Sequence, residues 1–331
     1  MTDRPNHFDP AAIAAETIAF NAALEAQLAG VQPVHAVPPE LTRKARAEGR
    51  GVFPEAGPRE GSEWVTIPGA LGGPARVRLS LPDVEPRGTY LHIHGGGWTI
   101  GTPDLYDAHN QRIAEATGCR VASVQYRLAP EHPWPACAED CEAAALWALE
   151  EFDDPLLIGG ESAGGHLSVV TLLRLRERGR AGQVAGMVLN YGVYDLRLTP
   201  SMANWGERYL VLSTPVVDWF CGNLLPFDAK SRVDRGDPAV SPLMADLAGL
   251  VPALFQIGTC DPLVDDTLFM SQRWQAACNR AELAIYPGGV HAFDMFDLAI
   301  SHASRDRQDA FVNECLQEWY ATTDQIEPST R

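Results

Sequence analysis

Leu156 to Val170 reads "LLIGGESAGGHLSVV" and joins three kinds of chain in quick succession. A short apolar run stops at Gly159 and Gly160, Ser162 stands between Gly160 and Gly164, and helix-forming residues follow at once. A run of that length bounded by glycines predicts a buried strand, and the segment after it predicts a helix. The corner between them fits G-x-S-x-G. In that pattern a serine projects from a strained strand-to-helix turn, and neighbours without side chains let the backbone pass. The plainer alternative is a glycine-rich turn holding an ordinary serine, and the rest of the chain has to decide between the two.

Outward from this corner, strands and helices alternate. "EWVTIP" and "ARVRLSL" predict two strands in an antiparallel start, followed by the strand "GTYLHIH", the helix "YDAHNQRIAEATG", the strand "RVASVQY" and the helix "ACAEDCEAAALWALEEF". After the corner come the strand "VAGMVLNYG", then "PALFQIG" (strand), "LFMSQRWQAACN" (helix), "AELAIYP" (strand) and "SRDRQDAFVNECLQEWYA" (helix). Residues 11 to 30 have helical periodicity, whereas 31 to 62, rich in Pro and Gly, predict a loop or a short broken helix. Residues 199 to 237 break the alternation with aromatics among prolines and glycines, and predict an inserted helical segment. The expected fold is α/β, with a mainly parallel sheet covered on both faces and a ligand site beyond the carboxyl ends of its strands.

Two further stretches bear on Ser162. His94-Gly95-Gly96-Gly97 also follows a strand. Three consecutive glycines are costly to order, and they make sense where backbone N–H groups must approach a ligand closely. Beside a nucleophilic serine that ligand is the oxyanion of a tetrahedral intermediate. A phosphate loop is the competing reading, but neither G-x-G-x-x-G nor G-K-[ST] occurs here. A serine hydroxyl also needs a base, and the base an orienting acid. In α/β-hydrolases these follow the serine in the order acid, then histidine. Asp261 lies just past "PALFQIG", with Asp265 as the second candidate; Asp265 and Asp266 fit better as caps of the next helix. His291 lies in the loop after "AELAIYP", a placement that His302 lacks.

With these residues in place, "HGGGW" (94–98), "YRLAPEHPWPA" (126–136), "GESAGG" (160–165), "DPLVDD" (261–266) and "HAF" (291–293) together resemble the hormone-sensitive lipase family of esterases, bacterial family IV. The resemblance runs from about residue 64 to the C-terminus. It implies an α/β-hydrolase fold with a helical cap, hydrolysis of short-chain carboxylic esters and no cofactor. Catalysis would fall to Ser162, Asp261 and His291. The oxyanion hole would be formed by the amides of Gly96, Gly97 and Ala163, with Gly95 shaping the loop. The cap would comprise residues 1–50 and 199–237, and the catalytic domain residues 51–198 and 238–331. Dimers are common in that family, so a homodimer is expected by the same resemblance. Glu161 stands where the family often has Asp, and Gln125 departs in the same way before Tyr126.

Composition narrows the partners. A formal net charge of −17 disfavours nucleic acid and anionic membrane surfaces. The N-terminus carries no apolar h-region and no stretch is long enough to span a bilayer, so the expectation is a cytoplasmic protein with a small-molecule ester as its substrate. Seven scattered cysteines without a CxxC pair argue against a disulfide framework or a zinc site. His92 and His94 alternate on one strand, but no carboxylate or third ligand stands at a suitable spacing, so no metal is expected. Arg127 and Glu131 are read as braces of the glycine loop and its neighbouring turns, and Cys260 as a buried strand-end residue. Trp98, Trp205, Tyr209 and Phe293 are candidates for the pocket wall, with ordinary packing as the alternative. An amide or formamide hydrolase with the same machinery is the close rival. A non-catalytic receptor on this fold, which would lack the histidine, is the distant one.

Overall fold

The computed structural model describes residues 6–53, 58–70, 73–225 and 233–323. Eight strands make one sheet: β1 (Glu63–Pro68), β2 (Pro74–Ser80), β3 (Thr89–Ile93), β4 (Arg120–Val124), β5 (Leu156–Glu161), β6 (Val184–Asn190), β7 (Ala253–Gly258) and β8 (Ala281–Tyr286). Their spatial order is β1-β2-β4-β3-β5-β6-β7-β8. β1 and β2 pair antiparallel, β2 pairs antiparallel with β4, and all the remaining pairs are parallel. From β3 the chain first steps to β4 on one side and then crosses to β5 on the other. The strand order therefore switches between β3 and β5, and a crevice opens at the carboxyl ends of those two strands.

Nine helices join the strands among the described residues: α1 (Ala15–Leu28), α2 (Pro39–Ala47), α3 (Asp107–Thr117), α4 (Ala136–Glu151), α5 (Ala163–Glu177), α6 (Pro200–Asn204), α7 (Thr214–Leu224), α8 (Val264–Ala276) and α9 (Ala299–Thr323). The central strands are buried on both faces, as a parallel sheet requires. Alternation decides which side chain meets which layer. Tyr90 and Leu157 pack with Ile113 of α3 and Phe311 of α9. Leu91 and Ile158 face the opposite layer, with Cys141 of α4 and Leu167 of α5.

The expected strands are all present, with ends moved by a few residues. α2 resolves the segment read as loop or broken helix: Pro39 occupies its first turn, where a missing N–H costs nothing. α8 begins at Val264 and α9 at Ala299, both earlier than periodicity suggested.

Asp265 and Asp266 sit in the first turn of α8 as expected, but their carboxylates do not cap it. Asp265 accepts a bond from the Ser201 amide. Asp266 Oδ1 accepts the amides of Tyr194 and Asp195, at 2.6 and 3.0 Å, and Oδ2 accepts the Thr199 hydroxyl. Both therefore fasten the segment after β6 to α8. Burial pushes the Asp266 carboxyl up to about 7, although its three donors pull the other way. An unfolded Asp titrates near ~3.9. The folded state thus takes the proton first, and the stability gained is full below about pH 4 and lost as pH rises through about 7. Asp266→Asn offers the same acceptor to the two amides and a donor to Thr199. Subtracting its urea-unfolding free energy from that of the unaltered protein is expected to give a difference that favours the unaltered protein more at about pH 5 than at about pH 8. A flat difference would place the Asp266 titration elsewhere.

Candidate active site

Four strand ends converge on the crevice. β3 runs into His94–Gly97, β5 into Ser162, β7 into Asp261 and β8 into His291. Ser162 is the N-cap residue of α5 and has φ 57° and ψ −117°, a conformation that L residues rarely adopt. Its amide donates to Asn190 O at 2.9 Å, which ties the corner to the next strand. A Cβ on Gly164 would lie 1.8 Å from Ile93 O, so α5 passes β3 at a distance only glycine allows.

The three side chains expected to act together are brought together. His291 Nε2 is 3.0 Å from Ser162 Oγ, and His291 Nδ1 is 2.8 Å from Asp261 Oδ2. The other Asp261 oxygen accepts the Leu263 amide at 2.9 Å. Asp261 and His291 are buried, as a base and its orienting acid need to be if water is not to compete for their bond. Tyr191, which sequence reasoning missed, packs edge-on against the His291 ring with centroids 5.0 Å apart. Its hydroxyl donates to Asp294 at 2.6 Å. Nothing in the one-dimensional pattern distinguishes a tyrosine just past a strand end from a core residue. Asp265, bonded to Ser201, and His302, paired with Asp297 on the surface, stand apart from this arrangement.

The glycine loop is held from its carbonyl side. Gly96 O accepts the amides of Thr99 and Ile100, at 3.1 and 2.8 Å, and Gly95 O accepts from His94 Nδ1 at 2.8 Å. Among the described residues, no hydrogen-bond partner is found for the amides of Gly96 and Gly97. Arg43 of α2 also braces the turn, bonding Thr99 O, Ala129 O and Glu131. Arg127 instead pairs with Asp140 and Glu139 of α4, which secures the following turn.

A cavity of about 840 Å³ opens over Ser162 and His291. Its wall takes Leu28, Val34 and Leu41 from the N-terminal segment, and Tyr209, Val216 and Phe220 from the segment containing α6 and α7. Of the four aromatic candidates only Tyr209 lies on this wall. Trp98 is turned inward, where its indole N–H donates to His166 Nδ1 at 3.1 Å. Trp205 bonds Arg208 O, and Phe293 packs against Tyr191 and Tyr286. Each of the three satisfies its own packing or polar group away from the cavity. Cys260 is half-buried rather than buried.

Behind the corner lies a cluster that local spacing concealed. His92 Nε2 is 2.9 Å from Glu161 Oε2, and His92 Nδ1 is 2.7 Å from Ser123 Oγ. His109 Nε2 stands 3.6 Å from Glu161 Oε1. Burial lowers His109 to about 3, leaving its ring neutral. His94 takes no part: it stacks on Tyr126, with centroids 4.2 Å apart. The expectation that no third ligand stands near His92 is thus corrected, because the fold supplies Glu161 from β5 and His109 from α3.

A family model described as alpha/beta hydrolase fold matches residues 90–295. Carboxylic ester hydrolase LipN of Mycobacterium tuberculosis is 36% identical over 71% of this chain and 65% of its own length, so the chain spans slightly less than two thirds of that relative. Ethyl acetate hydrolase of Pseudomonas putida is 31% identical over 69% of this chain and 72% of its own. Among solved structures, the hyperthermophilic esterase of Pyrobaculum calidifontis superposes with a TM-score of 0.79 at 29% identity, covering 89% of this chain and 97% of that one. Among the described residues, no helix is long and apolar enough to cross a membrane.

Proposed function

The chain belongs to the alpha/beta hydrolase fold family, and from that premise we propose that it is a serine carboxylesterase acting on short-chain esters. The observation that carries this reading is the Ser162–His291–Asp261 chain of contacts, at 3.0 and 2.8 Å, with the serine at a positive φ. Ser162 Oγ attacks the ester carbonyl while His291 Nε2 takes its proton. The tetrahedral oxyanion forms against the amides of Gly96, Gly97 and Ala163. Collapse expels the alcohol, which receives the proton from His291, and water repeats the sequence on the acyl-enzyme. Asp261 accepts from Nδ1, which fixes the tautomer and stabilises the imidazolium.

Residues 1–50 and 199–237 act in this reading as a cap over a catalytic body made of 51–198 and 238–331. Its support is the cavity wall, built from both segments, and the Arg208–Glu25 ion pair that links them at 2.8 Å. Residues 1–5 and 226–232 of that cap, and 54–57, 71–72 and 324–331 of the body, lie outside the described residues. The apolar wall suits acyl and alkyl groups.

A panel of p-nitrophenyl esters of increasing chain length, each with its matched anilide, tests the substrate class. Turnover is expected to be highest for short acyl chains, to fall sharply beyond roughly six to eight carbons, and to be far slower on anilides, whose nitrogen must be protonated as it leaves. Activity that climbs with chain length, or anilides cleaved as fast as esters, would displace the short-chain ester reading.

A further inference from the structure

We propose that His92, His109 and Glu161 form a binding site for one divalent transition-metal ion of the Zn²⁺, Co²⁺ or Ni²⁺ class. The three residues come from β3, α3 and β5, and their ligand atoms all lie within 4.8 Å of one another. Two of these atoms, His109 Nε2 and Glu161 Oε1, are buried without a hydrogen-bond partner among the described residues. They face each other at 3.6 Å, too long for a hydrogen bond and close to the roughly 3.3 Å that separates donors around a tetrahedral ion with bonds of about 2 Å. Buried polar atoms without partners are uncommon, and a shared cation would satisfy both at once.

The remaining geometry fits. His92 Nε2, 2.9 Å from Glu161 Oε2, supplies the second imidazole, and its opposite nitrogen is held by Ser123 Oγ at 2.7 Å. An outer partner on the far nitrogen is what orients a metal-bound histidine. Two imidazoles and one carboxylate favour a borderline ion over Mg²⁺ or Ca²⁺, which prefer all-oxygen shells. Two of the three donors sit on central strands, where the backbone is least free to adapt. The nearest guanidinium on α3, Arg112, is neutralised by Asp309 at 2.5 Å. Glu161 is among the residues lining the cavity over Ser162, and the His109 side chain is 16% exposed. Three protein ligands leave a fourth position for water. The site does not depend on the hydrolytic reading, since none of its three side chains acts on the ester in that reading.

Chelator-stripped protein titrated with Co²⁺ tests the site, followed by visible d–d absorption and by competition with Zn²⁺. One equivalent is expected to produce bands of nitrogen and oxygen ligation. His109→Phe and Glu161→Gln, each checked for folding by circular dichroism, are expected to weaken binding by on the order of a hundredfold or more. Anomalous diffraction from a Co²⁺-soaked crystal of the unaltered protein needs no variant and should place the ion among the three side chains. The proposal is overturned by equal Co²⁺ affinity in the unaltered protein and His109→Phe, by absorption that disappears when the exposed Cys278 thiol is alkylated, or by no anomalous peak at these atoms.

Discussion

Ser162→Ala is expected to lower kcat/KM for p-nitrophenyl butyrate by roughly a thousandfold or more and to abolish labelling by a fluorophosphonate probe. The substitution removes the one atom that His291 Nε2 approaches at 3.0 Å and leaves the rest of the site in place. Folding should survive, because the Ser162 amide, not its side chain, ties the corner to Asn190. The residual rate would come from binding and the loop amides alone. His291→Ala should cost a similar factor. The double variant should be little worse than either single one, because the two side chains act as a unit. Near-native turnover by folded Ser162→Ala would sink the covalent mechanism, and independent, multiplying losses would sink the pairing with His291.

The positions of Ser162, Asp261 and His291 could be read from the sequence because each depends on one local event, the end of a parallel strand. The apolar runs marked those ends, and the order of residues along the chain suggested the roles proposed for them. Where a position depends on a distant segment, the same reasoning had nothing to hold. Trp98 and Phe293 adjoin site motifs yet turn away from the cavity, whereas Phe220 and Val216 line it from a segment whose sequence gave only helical character. Glu161 was legible as a departure from Asp, but its reason was not. Its longer side chain reaches His92 one strand away, a neighbour set by the β3-β5 pairing, and approaches His109 of α3. Asp266 shows the same limit: its place at a helix start was plain, and its partners 67 to 72 residues away were not.

Gly96→Ala and Gly97→Ala are expected to fail for different reasons, and only the second should be repairable. At Gly96 φ is +114°, and a Cβ would stand 1.8 Å from the backbone oxygen of Ile100. That backbone is part of the turn closed by Ile100 N onto Gly96 O, so no side-chain truncation makes room. The turn has to open, the loop amides move, and kcat should fall by on the order of a hundredfold or more. At Gly97 φ is +56°, a left-handed conformation that costs an L residue roughly 1–2 kcal/mol, and the added Cβ would stand 2.3 Å from the Phe220 ring of α7. The ring can be removed where a backbone cannot. Gly97→Ala combined with Phe220→Ala should therefore regain about tenfold or more in kcat over Gly97→Ala alone, leaving mainly the conformational cost. Phe220→Ala by itself should change KM more than kcat, because the ring lines the cavity and touches no group in the proton path. The measurement is kcat and KM for the four variants on one short-chain ester, with thermal melts to confirm folding. Near-native kcat in Gly96→Ala would remove the loop from the mechanism. Failure of the double variant to recover would mean that the constraint at Gly97 lies in its backbone angle and not in the space beneath Phe220.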